Sequence, residues 1–300
     1  MWNPKVSVII PTYRRSDMLP RAIDSVFNQD YSNIQVVVVD DNDPNTEWRA
    51  KTQDRMRQYA ADDRVKYICH SKNLNGSVAR NTGIICSDGE LVTFLDDDDV
   101  YRVNKVSEQV RYLLLHPEYR AVYCGWKRLK EIVPIGEGDL SFGILSGTQI
   151  LITNVIMMWK NDAINCGGFD PILKRHQEAA FILNYFEHGG LIGRVGKVLV
   201  DFDVSDRSNV PTTKTNEKII NYLLCKHAHL LNKNEFLKKG STSLIVSHRN
   251  LGLMYSFILE HKYIQALRKF FTSVIKSPFV FPKVLAEDVL YRLNRNSIRR

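Results

Sequence analysis

The stretch Leu91-Val92-Thr93-Phe94-Leu95-Asp96-Asp97-Asp98-Asp99 places four carboxylates directly after an apolar run. A short apolar run is typical of a buried strand, and ligands of open α/β sheets bind where such strands end. Adjacent like charges repel one another unless a cation lies among them, so we predict a divalent metal that carries an anionic substrate. The alternative is an acidic turn in which one aspartate caps a helix over Val100 to Leu115.

Three more strand-like runs precede this stretch: Val6–Ile10, Val36–Val39 and Val65–Ile68. The segments between them suit helices, notably Met18–Phe27 and Glu47–Tyr59. Strands that alternate with helices indicate βαβ units. The sequence therefore predicts an α/β fold with a Rossmann-like, mainly parallel sheet.

A polar cluster follows each of these strands. The clusters are Pro11–Arg15, Asp40–Asp43, His70–Gly76 and Asp96–Asp99. Right-handed crossovers place the ends of parallel strands along one edge of the sheet, so we expect the clusters to converge. Asp40 and Asp41 follow a wholly apolar strand, and at least one of them needs a donor such as a nucleobase N–H. Asp43 fits an Asx-turn instead.

A loop at Asn73–Ser77 leads into a short helix at Val78–Gly83. The free N–H groups of a helix N-terminus, together with Arg80, are suited to a diphosphate. A Gly-Ser pair before a helix is also a routine cap, so this segment alone does not indicate a ligand.

The composition excludes several classes of protein. The longest apolar runs are too short to span a bilayer, and the start at Met1–Pro4 lacks the basic and apolar regions of a signal peptide, so we expect a cytoplasmic chain. The five cysteines are odd in number and lack metal-binding spacing, which indicates buried free thiols rather than disulfides or zinc.

The net charge of +8 is concentrated in the last third of the chain, where residues 207–300 hold 17 Lys and Arg against 5 Asp and Glu. Apolar residues recur at helical spacing from Leu253 to Ile275, which predicts one amphipathic helix that Ser277-Pro278 ends. A second apolar and basic stretch runs from Val284 to Leu293. These helices either pack on the catalytic domain or lie on an anionic membrane surface. Nucleic acid is disfavoured because no binding motif accompanies the charge.

Four of these motifs, in order, resemble the signature of family 2 glycosyltransferases. They are Val6 to Tyr13, Val38 to Asp41, Asn73 with Gly76 and Ala79 to Gly83, and Phe94 to Asp99. The resemblance covers about the first 205 residues. It implies a GT-A fold, a nucleotide-sugar donor, Mg²⁺ or Mn²⁺, and inversion at the anomeric carbon.

The resemblance also implies roles for single residues. Pro11, Thr12 and Tyr13 would border the base and ribose, Asp41 would accept from the base with Asp40 beside it, and Arg80 would face the diphosphate. Asp96 and Asp98 form the Asp-x-Asp pair, with Asp96 toward the ribose and Asp98 on the metal. Because Asp97 and Asp99 are also acidic, the assignment within the run is open by one residue, and Asp97 is a further candidate for the nucleotide-sugar. The segment Asp40 to Asn45 differs from the Asp-Asp-Gly-Ser of many relatives, so the base stays open, with uridine favoured.

Glu178 is the candidate catalytic base. Gly167-Gly168-Phe169-Asp170 and His176 to Phe181 resemble the family's glycine-rich turn and the acidic motif that opens the next helix. Glu stands here where Asp is more usual. The alternative is a first-turn acid that only interacts favourably with the helix dipole.

We therefore expect a metal-dependent inverting glycosyltransferase that moves one sugar from a nucleotide-sugar to a glycan or polyprenyl-diphosphate-linked acceptor. A UDP-sugar is the favoured donor. Such enzymes build capsule, O-antigen and similar surface polymers. The predicted organisation is a GT-A domain at 1–205, with a nucleotide-sugar half at 1–100 and an acceptor half at 101–205, and a basic helical lobe at 206–300. A nucleotidyltransferase or a non-catalytic binding module of the same fold is the alternative. The predicted location is the cytoplasm, and peripheral association with the inner face of the plasma membrane is the alternative.

Overall fold

The computed structural model describes residues 2–205, 212–230 and 241–297. Backbone packing divides the chain into two compact units. The first unit consists of Met1–Leu140 with Leu151–Ser208, and the second of Ser141–Ile150 with Asn209–Arg300. The predicted domain boundary between residues 205 and 206 stays a prediction.

Within residues 2–205, nine strands form one mixed sheet. They are β1 (Val6–Thr12), β2 (Ile34–Asp40), β3 (Val65–Cys69), β4 (Leu91–Phe94), β5 (Val100–Tyr101), β6 (Ala121–Lys127), β7 (Glu131–Ile132), β8 (Ile156–Trp159) and β9 (Ile192–Asp201). Their order is β3-β2-β1-β4-β8-β6-β9-β5, and β7 pairs with β6. The four strands β3, β2, β1 and β4 are parallel, whereas β8 runs antiparallel to β4 and β6. The predicted α/β fold is confirmed.

Eleven α-helices lie in the part of the chain that the structure describes. They are α1 (Leu19–Phe27), α2 (Glu47–Met56), α3 (Gly76–Cys86), α4 (Lys105–Leu115), α5 (Ser141–Ser146), α6 (Lys160–Asn165), α7 (Gln177–Glu187), α8 (Thr213–Lys226), α9 (Ser241–Leu259), α10 (Tyr263–Lys276) and α11 (Val280–Ser297). Of these, α5 and α8 to α11 belong to the second unit.

The centre of the sheet is a packed core. Every residue of β2 is buried, which matches a strand that is covered on both faces. Helix α3 lies close against β1, because a Cβ at Gly83 would stand 2.3 Å from the Ile9 side chain. This close contact fixes where the N-terminus of α3 meets the strand ends, and hence where Arg80 can reach.

The segment after the four aspartates differs from one predicted alternative. Val100 and Tyr101 pair with β9 instead of starting a helix, and α4 begins only at Lys105 with Asn104 as its N-cap residue. No aspartate of the run caps this helix, so the capping alternative is wrong. Because Val100 and Tyr101 pair with β9, the chain enters the sheet again directly after the acidic run.

The second unit corrects the prediction of one long amphipathic helix from Leu253 to Ile275. Helix α9 ends at Leu259, and α10 begins at Tyr263. His261 takes a left-handed φ of 58°, and the Lys262 N–H donates to Phe257 O at 2.8 Å. This is a Schellman ending, which usually uses glycine. The sequence gives no glycine or proline here, and therefore no signal of the break.

The core of the second unit comes from three helices. Leu251, Met254 and Phe257 of α9 pack with Ala266 of α10, and Phe281 and Val284 of α11 complete the cluster. The predicted amphipathic stretch from Leu253 to Ile275 includes Ile264 and Leu267, and both of these residues are exposed. Among the described residues, no helix is long and apolar enough to cross a bilayer.

The cysteines agree with the prediction only in part. All five are free thiols, as expected. Only Cys124 and Cys166 are buried, whereas Cys69 and Cys225 are exposed. The expectation that all are buried is wrong because β3 and α8 leave these two side chains at the surface.

Candidate active site

The acidic run lies in the loop after β4 and contacts the end of the neighbouring strand β1. Thr12 Oγ1 donates to Asp97 Oδ2 at 2.8 Å. The Arg15 guanidinium donates to Asp98 and lies 3.6 Å from Asp97 Oδ1. Two of the predicted polar clusters therefore meet at one edge of the sheet. Tyr13 follows the buried Thr12 and is 38% exposed at this edge.

Asp99 is held from the other half of the sheet. Its carboxylate accepts from Asn154 Nδ2 at 2.5 Å and from the Asp203 N–H at 2.8 Å. The side-chain oxygen Oδ1 of Asn154 is buried and has no hydrogen-bond partner among the described residues. A buried amide oxygen without a partner, on a side chain that contacts Asp99, is suited to a bound cation or its water.

Three of the four aspartates have the geometry of a metal site. One carboxylate oxygen from each of Asp96, Asp98 and Asp99 lies within 4.8 Å of the other two. Asp97 is outside this group, and its carboxylate accepts from Thr12 instead. An all-oxygen donor set suits hard divalent cations such as Mg²⁺ and Mn²⁺. The residues present therefore fit the predicted cofactor, and Asp99 joins the predicted pair Asp96 and Asp98.

The electrostatics of the run favour a bound cation. Burial raises the pKa of the Asp97 carboxyl to about 7, although the hydrogen bond from Thr12 opposes this shift. Burial, and then the charges of Asp96 and Asp98, raise the pKa of Asp99 above its ordinary value. Burial and the Asp96 charge likewise raise the pKa of Asp98. These shifts mark carboxylates whose negative charge the chain itself does not fully compensate.

The other acidic pair, at the end of β2, is fully engaged by the chain. The Asp40 carboxylate accepts from Tyr67 Oη at 2.5 Å and from the Asn42 N–H at 2.9 Å, and Arg49 Nε lies 3.0 Å away. Asp40 is wholly buried. It therefore fixes the loop after β2, and its predicted place beside the base stays a prediction.

Asp41 is occupied in the same way. Its two oxygens accept from His70 Nδ1 at 2.7 Å, from the Leu74 N–H at 2.8 Å, and from Asn73 Nδ2 and the Asn75 N–H, both at 2.9 Å. Four donors match the four lone-pair sites of a carboxylate. The predicted contact between Asp41 and the base stays a prediction, and it requires one of these donors to move.

Arg80 joins the acidic run to the candidate base. Its guanidinium donates to Asp96 through one nitrogen and to Gln177 Oε1 at 2.6 Å through the other. Gln177 is the first residue of α7, and Glu178 follows it. The predicted diphosphate ligand, metal ligand and catalytic base are therefore neighbours.

The glycine-rich turn before α7 is anchored to α3. Asn81 donates to Phe169 O and accepts from the Phe169 N–H, both at 2.8 Å. Gly168 has a φ of +67°, and a Cβ there would stand 2.5 Å from Asn81 Oδ1, so only glycine fits. Phe169 stacks on Phe181 of α7 with ring centroids 4.3 Å apart. These contacts set the position at which α7 begins.

Glu178 has the environment of a general base. Its side chain is partly buried, and burial raises the pKa of the Glu178 carboxyl above its ordinary value. A hydrogen bond from the Glu178 backbone N–H and the charges of His176 and Arg80 oppose this shift. A base works best when its pKa approaches the working pH.

Several residues that shape the site were not predicted. Arg21 donates to the Asp98 carbonyl and to Asp203 Oδ2, the latter at 2.9 Å. The sequence does contain a signal for Asp203, because this residue follows strand β9 as Asp96 follows strand β4. No sequence pattern indicates that His70 contacts Asp41 and Thr82.

Comparison with known proteins gives the same outline. The profile of Glycosyl transferase family 2 matches residues 7–161. The uncharacterized glycosyltransferase RP339 of Rickettsia prowazekii is 25% identical over 99% of this chain and 94% of its own length. The GalNAc(5)-diNAcBac-PP-undecaprenol beta-1,3-glucosyltransferase of Campylobacter jejuni is 39% identical, over 32% of this chain and 30% of its own length.

Two solved structures share the fold. TarS 1-349 of S. aureus in complex with UDP-GlcNAc has a TM-score of 0.65 at 18% identity, covering 90% of this chain and 81% of that one. Mannosyltransferase PcManGT from Pyrobaculum calidifontis, in complex with GDP-Man and Mn²⁺, has a TM-score of 0.62 at 17% identity, covering 98% and 81%. The shared architecture is the GT-A fold, as predicted from the sequence.

Proposed function

The chain belongs to glycosyl transferase family 2, and we propose that it moves one sugar from a nucleotide-sugar donor to a lipid-linked glycan with inversion at the anomeric carbon. One observation carries the proposal. Arg80 contacts both Asp96 of the acidic run and Gln177 beside Glu178, so the candidate cation ligands, diphosphate ligand and carboxylate base lie at one edge of the sheet. An inverting transfer needs these three elements in one place.

The binding roles follow from the charges. Asp96, Asp98 and Asp99 would hold a divalent cation, which when bound would offset the negative charge of the donor's diphosphate. Arg80 would contact a phosphate oxygen, since a guanidinium binds phosphate through two nitrogens. Thr12 and Tyr13 would border the nucleoside at the exposed end of β1.

Glu178 would supply the proton transfer. The acceptor hydroxyl oxygen forms a bond to the anomeric carbon while the bond from that carbon to the diphosphate oxygen breaks. The electron pair leaves with the nucleoside diphosphate, and the hydroxyl proton passes to Glu178. A single displacement of this kind inverts the configuration, and a partly desolvated carboxylate of raised pKa suits the step.

The substrate classes are supported by the relatives. The two structural neighbours were solved with UDP-GlcNAc and with GDP-Man, and we favour a uridine donor. The Campylobacter relative is named for an undecaprenol-diphosphate-linked glycan. We propose a related polyprenyl-diphosphate-linked acceptor, in the synthesis of a surface polysaccharide such as capsule or O-antigen. Such an acceptor would place the chain at the inner face of the plasma membrane.

A binding screen tests the donor assignment. UDP- and GDP-sugars are titrated into the protein by calorimetry with Mn²⁺, with Mg²⁺ and with EDTA, and turnover is then measured on polyprenyl-diphosphate-linked glycans. We expect cation-dependent binding of one nucleotide class and release of the nucleoside diphosphate. Binding without turnover on any acceptor would support a non-catalytic module, and release of pyrophosphate would indicate a nucleotidyltransferase.

Glu178→Gln tests the base. The amide keeps the size of the side chain but cannot take a proton, so we expect kcat to fall by about 10²- to 10⁴-fold with donor affinity unchanged. The matched control is Glu187→Gln, nine residues further along the same helix α7. Near-normal turnover in Glu178→Gln would show that another group is the base.

A further inference from the structure

Helix α10 exposes a stripe of large apolar side chains to solvent. We call Ile264, Leu267, Phe271 and Ile275 the apolar stripe. They are 73%, 56%, 58% and 78% exposed, respectively. Their spacing of three and four residues places them on one face of the helix. Phe279, which follows the helix, is 90% exposed.

The adjacent face of α10 already has its partners. Ala266 is buried, and Phe270 and Val274 pack against the core of the second unit. The apolar surface of the helix is therefore wider than the part that packs on this core. Folded monomers rarely expose a contiguous apolar surface without a binding role.

The charges around the apolar stripe are of one sign. Residues 261–286 contain five Lys and Arg and no Asp or Glu. Lys262 pairs with Glu260 at 2.6 Å, and Lys269 with Glu217 at 2.5 Å. Arg268, Lys276 and Lys283 are exposed, and no acidic residue lies within ion-pair distance of them among the described residues.

This combination selects one class of partner. We propose that α10 lies in the surface of an anionic lipid bilayer, with the apolar stripe at the boundary of the acyl chains and Arg268 and Lys276 at the headgroups. A helix that is apolar on one face and cationic at its rim is the pattern of interfacial helices. Two copies packed through this face would instead bring their unpaired cations toward each other, which disfavours a dimer.

The proposal rests on the proposed function only for its setting, because a lipid-linked acceptor is presented at a membrane. Vesicle binding itself requires neither donor nor acceptor. The two hypotheses therefore fail separately: Glu178→Gln should keep vesicle binding, and a variant of the apolar stripe should keep transfer to a water-soluble acceptor analogue.

The experiment is co-sedimentation of the full chain with vesicles. Vesicles of phosphatidylcholine mixed with phosphatidylglycerol are compared with vesicles of phosphatidylcholine alone. We expect partition to the mixed vesicles only, and less partition as salt is raised, since salt screens exposed charges. The double variant Leu267→Gln/Phe271→Gln should lower partition by on the order of 10-fold or more. Arg268→Gln/Lys276→Gln should lower it by about 5-fold for each charge removed.

The matched control is Leu129→Gln/Ile135→Gln. These side chains are 72% and 76% exposed in the first unit, so the control removes similar apolar surface elsewhere. Circular dichroism checks that each variant is folded. The proposal is overturned if wild-type protein does not bind the mixed vesicles, if the stripe variant binds as well as wild type, or if sedimentation velocity shows a dimer that only the stripe variant loses.

Discussion

Two acidic clusters, Asp40-Asp41 after β2 and Asp96 to Asp99 after β4, occupy equivalent positions at the ends of parallel strands. In the first cluster, Arg49, Tyr67 and His70 and several N–H groups occupy the carboxylate oxygens. In the second, three carboxylates crowd together and burial raises the pKa of Asp98 and Asp99. The two clusters look alike in sequence, but the chain occupies the oxygens of the first fully, whereas Arg15 and Arg80 compensate the charge of the second only in part.

The difference separates a structural carboxylate from a ligand-binding one. A buried carboxylate with a full set of donors contributes to the fold, and its removal leaves those donors unpaired. Carboxylates that repel one another instead gain when a cation arrives from outside. Substitutions in the two clusters should therefore have opposite consequences for stability and for activity.

Asp40→Asn should have the largest effect on folding. The substitution leaves the buried Arg49 guanidinium without its counter-charge, and breaking a buried pair costs about 3–5 kcal/mol. Urea unfolding measures the loss. The control is the exposed Asp63→Asn, for which we expect a change within about 0.5 kcal/mol. An Asp40 variant as stable as wild type would remove the distinction between the clusters.

Asp98→Asn should reverse this pattern. We expect activity to fall by about 10²- to 10³-fold, because the cation that would offset the charge of the departing diphosphate loses a ligand. The free energy of unfolding without added metal should stay unchanged or rise, since one of several repelling charges is removed. Calorimetry of nucleotide binding with and without Mn²⁺ provides the second measurement. Binding that keeps its cation dependence would contradict the assignment of Asp98.

Local patterns in the sequence were sufficient for four strands of the sheet and for the meeting of two polar clusters. The apolar runs predicted β1 to β4, and the clusters after them were expected to converge, as the contact between Thr12 and Asp97 shows for two of them. The resemblance around Gly168 implied that an acidic motif with Glu178 opens the next helix, and α7 begins at Gln177. These features depend on short segments whose chemistry is readable in isolation.

Other features depend on partners that are distant in the sequence. Asp99 is held by Asn154 and Asp203, which lie 55 and 104 residues away, so no local pattern indicates the contacts. The break between α9 and α10 rests on a left-handed His261, a conformation that residue type rarely signals. The exposure of Ile264 could not be distinguished from burial, because periodicity marks an apolar face without showing what covers it.

Lys105 is a buried cation, and it tests on a smaller scale whether the chain compensates a buried charge. The side chain is wholly buried, donates to Thr93 Oγ1 and lies 4.0 Å from the centre of the Tyr101 ring. Burial lowers the pKa of Lys105 to about 7. Between this value and the ordinary 10.5, the unfolded chain binds more protons than the folded one, so stability rises with pH across this window.

We expect Lys105→Met to remove this pH dependence. Between pH 7 and 8 wild-type protein should gain up to about 1.4 kcal/mol that the variant does not gain. Urea midpoints at the two pH values measure the difference, and the exposed Lys51→Met is the control. The interval from pH 7 to 8 lies below the ordinary pKa of a cysteine thiol, and burial raises the pKa of Cys124, so Cys124 does not contribute to this difference. Equal pH dependence in wild type and variant would mean that Lys105 stays charged in the folded chain, compensated by the Tyr101 ring and the Thr93 hydroxyl.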